Sequence, residues 1–310
     1  TYYSITSEDQ IIQPRVSNGS GYIFQLINGG TIENKGYEVV VNANPVNNND
    51  FIWDLSLNWS KNNSELTFLP EGIDLFVQSD AISVFGLAQG ASFLGGPFFN
   101  LEGSRWLTND DGQLVVDEAG YPTIDRNQNL LANRQPDWIG GITNTFSYKS
   151  FSLSFLLDFR MGGDVFNGTE YELVRSGLSP QTLSRGSTFT FDGITQDGSP
   201  NTQAVVLNEN YFQNVYANHA PHFIEDGSWA RLRYLSLTYQ MPTRIVDKTP
   251  FTNVSFNITG KNFWLSTKYS GFDPEVSSGG AGVRGTGSMG IDYAGVPATQ
   301  GLSIGMNLKL

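Results

Sequence analysis

Several residue types are missing or scarce in this 310-residue chain, and each absence excludes a class of protein. There is no cysteine, which excludes disulfide bonds and thiolate metal sites. Histidine occurs only at His219 and His222, and two histidines do not complete a zinc site. Charged residues make up 15%, whereas about 25% is usual for soluble domains. No apolar run approaches the roughly 18 residues that a membrane helix needs, so a helical membrane protein is also excluded.

Positive charge is scarce relative to negative charge. Lysine and arginine together number 18, against 30 aspartates and glutamates, which gives a formal net charge of -12. Because phosphate backbones are bound by clusters of lysine and arginine, nucleic-acid binding is not expected. The chain also has no Gly-x-Ser-x-Gly elbow, no P-loop and no Rossmann fingerprint. We therefore expect neither an enzyme activity nor an organic cofactor.

What the chain does contain is a two-residue alternation of apolar and polar side chains. Residues 301–310 place five apolar side chains on one face of a strand, with polar or small residues between them. Residues 51–60 alternate most regularly, and their large aromatics lie near both ends, as in strands that cross a bilayer. A strand with one apolar and one polar face suits a membrane barrel with a wet interior.

Alternating segments recur along the chain and are separated by connections of two kinds. Eight strands are predicted, at residues 2–12, 31–44, 51–61, 138–148, 151–159, 228–241, 253–263 and 301–310. Three connections are long, at residues 62–136, 161–226 and 268–299. Short periplasmic turns and long extracellular loops are typical of outer-membrane barrels, whose strands need about ten residues to span the bilayer. The sequence therefore predicts an all-β fold, a transmembrane antiparallel β-barrel in membrane lipid, with residues 1–310 in one barrel domain.

Four charged residues are predicted to line the barrel interior: Asp158, Arg160, Arg231 and Arg233. Arg231 and Arg233 lie two residues apart and so share a face, and a charge facing lipid at the midplane would cost about 2–4 kcal/mol. Solvated charge at the rim and direct contact with a substrate are the alternatives. Asp273 and Glu275 could bind a metal or a sugar, or could form a rigid loop anchor around the intervening proline.

The long connections are rich in aromatic residues, which are the candidates for contact with a substrate or a partner. These candidates are Phe93, Phe98, Phe99, Trp106, Tyr121, Tyr211, Phe212 and Tyr216. Aromatic faces stack on sugar rings and also anchor protein interfaces. The same side chains could instead pack the connections against one another, and the sequence leaves both interpretations open.

One oxygen-rich segment is similar to the start of a calcium-binding loop. Asp125, Asn127 and Asn129 have the spacing of its first three ligands. Leu130 stands where such a loop needs glycine, and no glutamate occupies the twelfth position. An ordinary Asx-rich turn is therefore the leading interpretation and Ca²⁺ the alternative. No other metal is expected.

Six groups of residues match, in order, the motifs of a known family. They are residues 28–38 (NGGTIENKGYE); 136–141 with 146–149; 158–167 (DFRMGGDVFN); 223–233 with 237–242; 260–263 with 267–275; and 290–292 with Pro297. Together they resemble the C-terminal part of SusC-like (RagA-like) TonB-dependent transporters of the Bacteroidetes outer membrane. The terminal Leu310 departs from the aromatic residue that more often ends an outer-membrane protein.

The resemblance implies that the chain supplies the last eight or so strands of a 22-stranded barrel. The signal sequence, plug, TonB box and N-terminal strands of such a transporter are absent from residues 1–310. It further implies TonB-dependent import of an oligosaccharide or oligopeptide, together with a SusD-like surface lipoprotein and with TonB acting through the absent N-terminal region. The expected location is the bacterial outer membrane.

Two other interpretations remain. In the first, the barrel is a scaffold for surface protein assembly or adhesion that does not transport. In the second, the chain is a secreted soluble β-sandwich, which the uninterrupted apolar face of residues 51–59 disfavours.

Overall fold

The structure, a computed structural model, describes residues 1–12, 19, 21–22, 25–78, 87–275 and 289–310. In this part of the chain the strands are, in order, β1 (Tyr2–Ile12), β2 (Ile27–Asn47), β3 (Phe51–Phe68), β4 (Leu75–Val77), β5 (Ala88–Phe93), β6 (Asn100–Trp106), β7 (Ile124–Asn133), β8 (Trp138–Tyr148), β9 (Phe151–Met161), β10 (Asp164–Asn167), β11 (Thr188–Phe189), β12 (Val205–Val206), β13 (Ile224–Asp226), β14 (Trp229–Gln240), β15 (Asn253–Thr267), β16 (Ile291–Asp292) and β17 (Gly301–Lys309).

Helical structure is short. The helices are α1 (Gly168–Arg175), α2 (Thr243–Val246), two 3₁₀ segments (Pro180–Ser184 and Ala220–Phe223) and one π-helical segment (Tyr211–Tyr216). Asn167 caps α1, because its side-chain oxygen accepts the backbone N–H of Glu170 at 2.9 Å. Among the described residues, no helix has both the length and the apolar character needed to cross a bilayer.

Eight strands form one large antiparallel sheet, in the order β1-β2-β3-β8-β9-β14-β15-β17. This sheet is the barrel wall, and it contains all eight predicted strands. The connections of residues 48–50, 149–150 and 241–252 leave it at one end, whereas the three long connections leave it at the other. Lys149 adopts a positive φ of 52° in the two-residue turn between β8 and β9, as tight hairpins require. The predicted fold class is confirmed.

The two faces of the wall differ in chemistry. On one face apolar side chains meet across strands and remain exposed. Leu237 pairs with Leu153 and Ile258, and the three side chains are 36–43% accessible. On the other face hydroxyls bond across strands, as in the Ser236–Thr259 contact of 2.7 Å. Exposed apolar side chains in continuous rows are costly in water but not in lipid. The apolar face is therefore the lipid face.

An arginine introduced at a lipid-facing position of a central strand should destabilise the barrel far more than one introduced at the neighbouring inward-facing position. Leu235 pairs with Phe155 on the lipid face, and Ser236 pairs with Ser154 on the inner face. Leu235→Arg is expected to destabilise the folded barrel by about 2–4 kcal/mol, whereas Ser236→Arg should cost much less because its charge reaches water. Urea unfolding of the full-length protein in lipid vesicles measures both; equal losses would contradict the face assignment.

Residues 62–136, the first of the predicted long connections, contain regular strands. Strand β3 continues to Phe68, and β4, β5, β6 and β7 form a separate four-stranded sheet outside the wall. The burial pattern explains why the sequence shows no alternation there, since consecutive residues of β5 and β6 are covered on both faces. A strand covered on both sides loses the two-residue period.

The largest buried apolar cluster lies outside the wall, among the long connections. We call it the loop core; it is built around the fully buried Phe166, Val174, Phe223 and Ile291. A three-stranded sheet, β13-β10-β16, supports it, with β10 and β16 paired in parallel. Because β10 and β16 come from different connections, the outer part is one folded layer and not a set of independent loops.

Candidate functional site

A group of five charged residues joins the barrel wall to the third long connection. We call it the inner charge cluster: Asp158, Arg231, Arg233, Asp273 and Glu275. Asp158 on β9 faces Arg231 on β14, and the register shift after Leu232 brings Arg233 to the same inner face. This bulge explains how both arginines and Asp158 gather at one place.

The contacts within the inner charge cluster are short and directional. Arg231 donates to Asp273 at 2.6 Å, and both side chains are almost fully buried. Arg233 donates to Asp158 at 2.7 Å and makes a forked contact with Glu275 at 2.6 and 2.8 Å. Arg231 Nε lies 2.9 Å from Glu275 but without hydrogen-bond alignment, so that contact is an ion pair only. Forked arginine–carboxylate pairs are among the stronger polar contacts in proteins.

Asp273 also closes the base of its own connection. Its carboxylate accepts the backbone N–H of Glu275 at 3.0 Å and that of Ala298 at 3.1 Å. One side chain thus holds the outgoing chain, the returning chain and the barrel wall. Asp273 and Glu275 are both bonded to arginines, which favours the loop-anchor interpretation over a metal or sugar site.

The remaining predicted lumen residue, Arg160, does not pair with Asp158. Its guanidinium donates to the carbonyl oxygen of Arg134 at 2.9 Å, between the wall and the outer layer. The reason is the register, since Arg160 faces Ile139 and Trp229 and lies beyond the inner charge cluster. The lining role itself stays a prediction for all four residues, although the structure places Asp158, Arg231 and Arg233 together.

Sequence reasoning missed Arg134, which is fully buried. Its guanidinium donates to the carbonyls of Asn100 at 3.1 Å and Met289 at 2.6 Å, and also to the side chain of Gln78. Burial lowers the pKa of Arg134 to about 10. It therefore connects three separate stretches of the outer layer. Nothing in the sequence marks it, because an arginine beside asparagine and glutamine resembles a solvated loop residue.

The candidate aromatic residues lie mainly inside the outer layer. Tyr211 and Phe212 are buried in the loop core, and Trp106, Tyr121 and Tyr216 pack against it half-buried. Phe98 packs on a second cluster of Ile12, Leu66 and Leu69, with Phe99 edge-on at 4.9 Å. Phe93 is half-buried on β5. Burial makes Tyr211 a poor candidate for direct ligand contact, and contact by Phe212 and by the half-buried residues stays a prediction.

Both histidines belong to a ring cluster at the edge of the loop core. His219 Nδ1 accepts the backbone N–H of Trp106 at 2.8 Å, and His222 stacks on Tyr216 at 4.0 Å between ring centres. Burial, His222 and Arg105 lower the pKa of His219 to about 3. Burial also lowers the pKa of His222. Within the described residues, no three side chains converge in a way that could hold a metal ion.

The outer layer should lose stability in mild acid. An unfolded histidine binds a proton near pH 6.5, whereas folded His219 does so only near pH 3, so stability falls as the pH drops between these values. His219→Gln keeps an acceptor for Trp106 and is expected to weaken this pH dependence. Rates of proteolysis of the outer layer at pH 7.5 and pH 4.5 measure it; identical pH dependence in the variant would contradict the role of His219.

The calcium-like segment is arranged as a turn. Asp125 accepts the backbone N–H of Asn127 at 2.9 Å and lies 3.7 Å from Arg105, and Asn129 donates to the carbonyl of Asn127 at 2.9 Å. These bonds use the oxygen and amide groups locally, as in ordinary Asx turns. Calcium binding stays a prediction.

Comparison with known proteins gives the chain its family context. No family model matches it. TonB-dependent receptor P3 of Formosa agariphila is 29% identical over 330 residues, which cover 99% of this chain and 32% of the relative. The TonB-dependent receptor SusC of Bacteroides thetaiotaomicron is 26% identical over 294 residues, covering 89% and 27%. The chain is homologous to SusC-type TonB-dependent receptors. It spans less than a third of the length of either relative.

Solved structures show the same fold. The RagAB peptide importer in its closed-closed state superposes with a TM-score of 0.67 at 19% identity, over 99% of this chain and 33% of that chain. The open-open state gives the same TM-score. The predicted location in the outer membrane is confirmed, and the expectation of no enzyme activity agrees with these relatives, which are TonB-dependent receptors.

Four of the six segments that resemble SusC-type receptors meet in space. Residues 158–167, 223–233 and 267–275 supply β10, β13 and all five members of the inner charge cluster, and residues 290–292 supply β16. Asn167 and Ser270 both donate to Glu225, and Tyr269 donates to Asp292 at 2.7 Å. The residues of these motifs therefore form the junction between the barrel wall and the outer layer.

Proposed function

We propose that the chain is part of an outer-membrane importer that takes up a nutrient in a TonB-dependent manner. The observation that carries this proposal is the asymmetry of the wall, whose three long connections leave one end and build a single outer layer. Such a wall offers a polar inner face along which a ligand passes and a structured surface that the ligand meets first. Similarity to TonB-dependent receptors over 99% of the chain supports the same activity.

The proposed partners are a SusD-like surface lipoprotein, seated on the outer layer, and TonB, acting through the rest of the transporter. The proposed substrate is an oligopeptide or an oligosaccharide. RagAB, whose wall has the same fold, is a peptide importer, which supports the first class. The aromatics Trp106, Tyr121 and Tyr216 are only partly buried, and aromatic side chains stack on sugar rings, which supports the second class.

Growth on defined nutrients tests the proposal. A strain that lacks the full-length gene should grow poorly when an oligopeptide mixture or an oligosaccharide is the sole carbon source, and normally on amino acids or monosaccharides. Depletion of TonB should give the same pattern. Full-length protein purified from outer membranes should carry a lipoprotein partner.

The alternative function, a surface scaffold for assembly or adhesion, gives different results in the same experiments. Growth would then be unchanged on every nutrient, and TonB depletion would have no additional effect. Loss of other proteins from the cell surface would accompany deletion. Normal growth together with surface-protein loss would overturn the import proposal.

A further inference from the structure

The outer layer contains a cavity whose lining includes no residue of the inner charge cluster. It has a volume of about 270 Å³ and lies between the C-terminal end of α1, the 3₁₀ segment Pro180–Ser184 and the π-helical segment Tyr211–Tyr216. Its lining residues are Val174, Arg175, Ser176, Gly177, Thr182, Arg185, Glu209, Phe212 and Gln213. The volume is near the lower limit of small-molecule pockets, so it suits one amino-acid or sugar unit and not a long ligand.

The cavity has an apolar base and a charged opening. Val174, Thr182 and Phe212 are buried, with exposures of 0%, 1% and 4%. Arg175 and Arg185 are exposed residues at its lining, and Glu209 lies there with them. A buried base with polar groups at the rim is the usual arrangement of a ligand pocket.

Arg185 is held at the cavity but keeps most of its donors. Its Nη1 donates to the carbonyl of Gly177 at 3.1 Å, which uses one of its five N–H groups. Gly177 has a φ of 73°, and a Cβ there would come within 3.0 Å of the same nitrogen, so the glycine permits this close approach. In the described ranges, Arg185 forms no ion pair with a carboxylate. The remaining N–H groups of its guanidinium are therefore available to bind an anion.

The surroundings make two arginines at one cavity unusual. Basic residues are rare in the long connections; the described ones are Arg105, Arg126, Arg134, Arg175, Arg185 and Lys268. Arg134 is buried and Arg105 lies beside Asp125, while acidic residues are abundant throughout. Arg175 lies 3.6 Å from Glu172, so Arg185 is the arginine of this cavity that has no carboxylate partner among the described residues. Guanidinium groups match carboxylates in shape, and Arg185 is therefore the group that attracts an anion here.

The cavity lining also contains hydrogen-bond acceptors. Gln213 donates to the carbonyl of Arg175 at 3.2 Å and to Glu209 Oε1 at 3.1 Å, which cross-links α1 to the π-helical segment. This leaves the second oxygen of Glu209 able to accept an N–H or O–H from a ligand. A ligand unit that carries both a carboxylate and a hydrogen-bond donor therefore matches Arg185 and Glu209.

We propose that this cavity binds a carboxylate-bearing terminal unit of the imported ligand, with Arg185 as its principal anion contact. The C-terminal residue of a peptide and a uronic acid of an oligosaccharide share this chemistry. The biological purpose of the site rests on the proposed import function, but the binding itself does not require transport.

Binding to the purified full-length protein in detergent micelles tests the proposal, with trialanine and trigalacturonate as probes in separate titration-calorimetry experiments. At least one acid should bind, while its neutral counterpart (trialanine amide or the methyl ester) binds at least tenfold more weakly. Arg185→Gln should weaken binding of that acid at least tenfold, and Arg126→Gln, the same change at an exposed arginine outside the cavity, should leave it unaltered.

The two probes distinguish the sources of the carboxylate: binding of trialanine alone identifies a peptide terminus, and binding of trigalacturonate alone identifies an acidic glycan. Equal binding of acid and neutral forms, no binding of either acid, or unchanged binding by Arg185→Gln with normal thermal unfolding would each overturn the proposal. Since no TonB or energised membrane is present, these results are independent of whether the protein imports anything.

Discussion

Replacing Arg231 by methionine is expected to destabilise the folded protein by about 3–5 kcal/mol, because it leaves a buried carboxylate without its counter-charge. Asp273 is only 3% exposed, and Arg231 is the cation that contacts it at 2.6 Å. Asp273 also holds Ala298, so its displacement releases the returning end of the third long connection from the wall. The free energy of unfolding of the full-length protein in urea measures the loss, and proteolysis between residues 268 and 300 reports the release.

A double-mutant cycle separates the ion pair from mere loss of volume. Asp273→Asn removes the charge and keeps one oxygen, which can still accept the backbone N–H of Glu275; the second oxygen, which accepts the N–H of Ala298, is lost. Arg231→Met combined with Asp273→Asn should therefore be more stable than Arg231→Met alone. Arg244→Met, an exposed arginine in the turn between β14 and β15, is the matched control and should change little. A double variant as unstable as the sum of the single variants would rule out the charge pairing as the cause.

Replacing Phe223 by alanine is expected to unfold the outer layer while the barrel wall stays intact. Phe223 is 1% exposed and meets Phe166, Tyr171 and Tyr216 with ring-centre distances of 5.5–6.3 Å. Deleting a buried phenylalanine ring typically costs about 3–5 kcal/mol. The wall is held by its own strand pairing and by lipid, so we expect little effect on it.

Two readouts on one sample separate the outer layer from the wall. Limited proteolysis within residues 162–228 should become much faster in Phe223→Ala, whereas the heat-dependent shift in gel mobility that reports a folded barrel should persist. Phe189→Ala is the control, because Phe189 is 50% exposed and its loss should cost less than about 1 kcal/mol. Unchanged proteolysis in Phe223→Ala, or simultaneous loss of the wall, would show that the loop core is not a separate stabilising unit.

The strands of the wall could be predicted because their two faces meet different solvents. Residues 151–159 alternate apolar and polar side chains, and β9 runs over Phe151–Met161 in the structure. The extension of β3 to Phe68 could not be predicted, since residues 62–68 begin with four polar residues and so show no alternation of apolar and polar side chains, although they pair with β2. Likewise, β5 is covered on both faces, and its sequence lacks the two-residue alternation of apolar and polar side chains.

The inner charge cluster could be predicted in part. The spacing of Arg231 and Arg233 identified a shared face, and Asp158 was expected on it. The partners Asp273 and Glu275 lie 42 residues from the arginines in sequence, so no local pattern joins them. Arg134 was missed for the same reason, because its bonds reach Met289 across 155 residues.

The sequence by itself determined that this chain forms antiparallel strands with a lipid face, short turns at one end and long connections at the other, because two-residue periodicity and connection length are local properties. Only the tertiary structure decided that the long connections form one layer with its own core, that Asp273 binds Arg231, and that Arg185 lies at a cavity. These contacts join residues that are far apart in the sequence. They depend on how closely the folded backbone brings those residues together and on their burial, and neither can be read from a local sequence pattern.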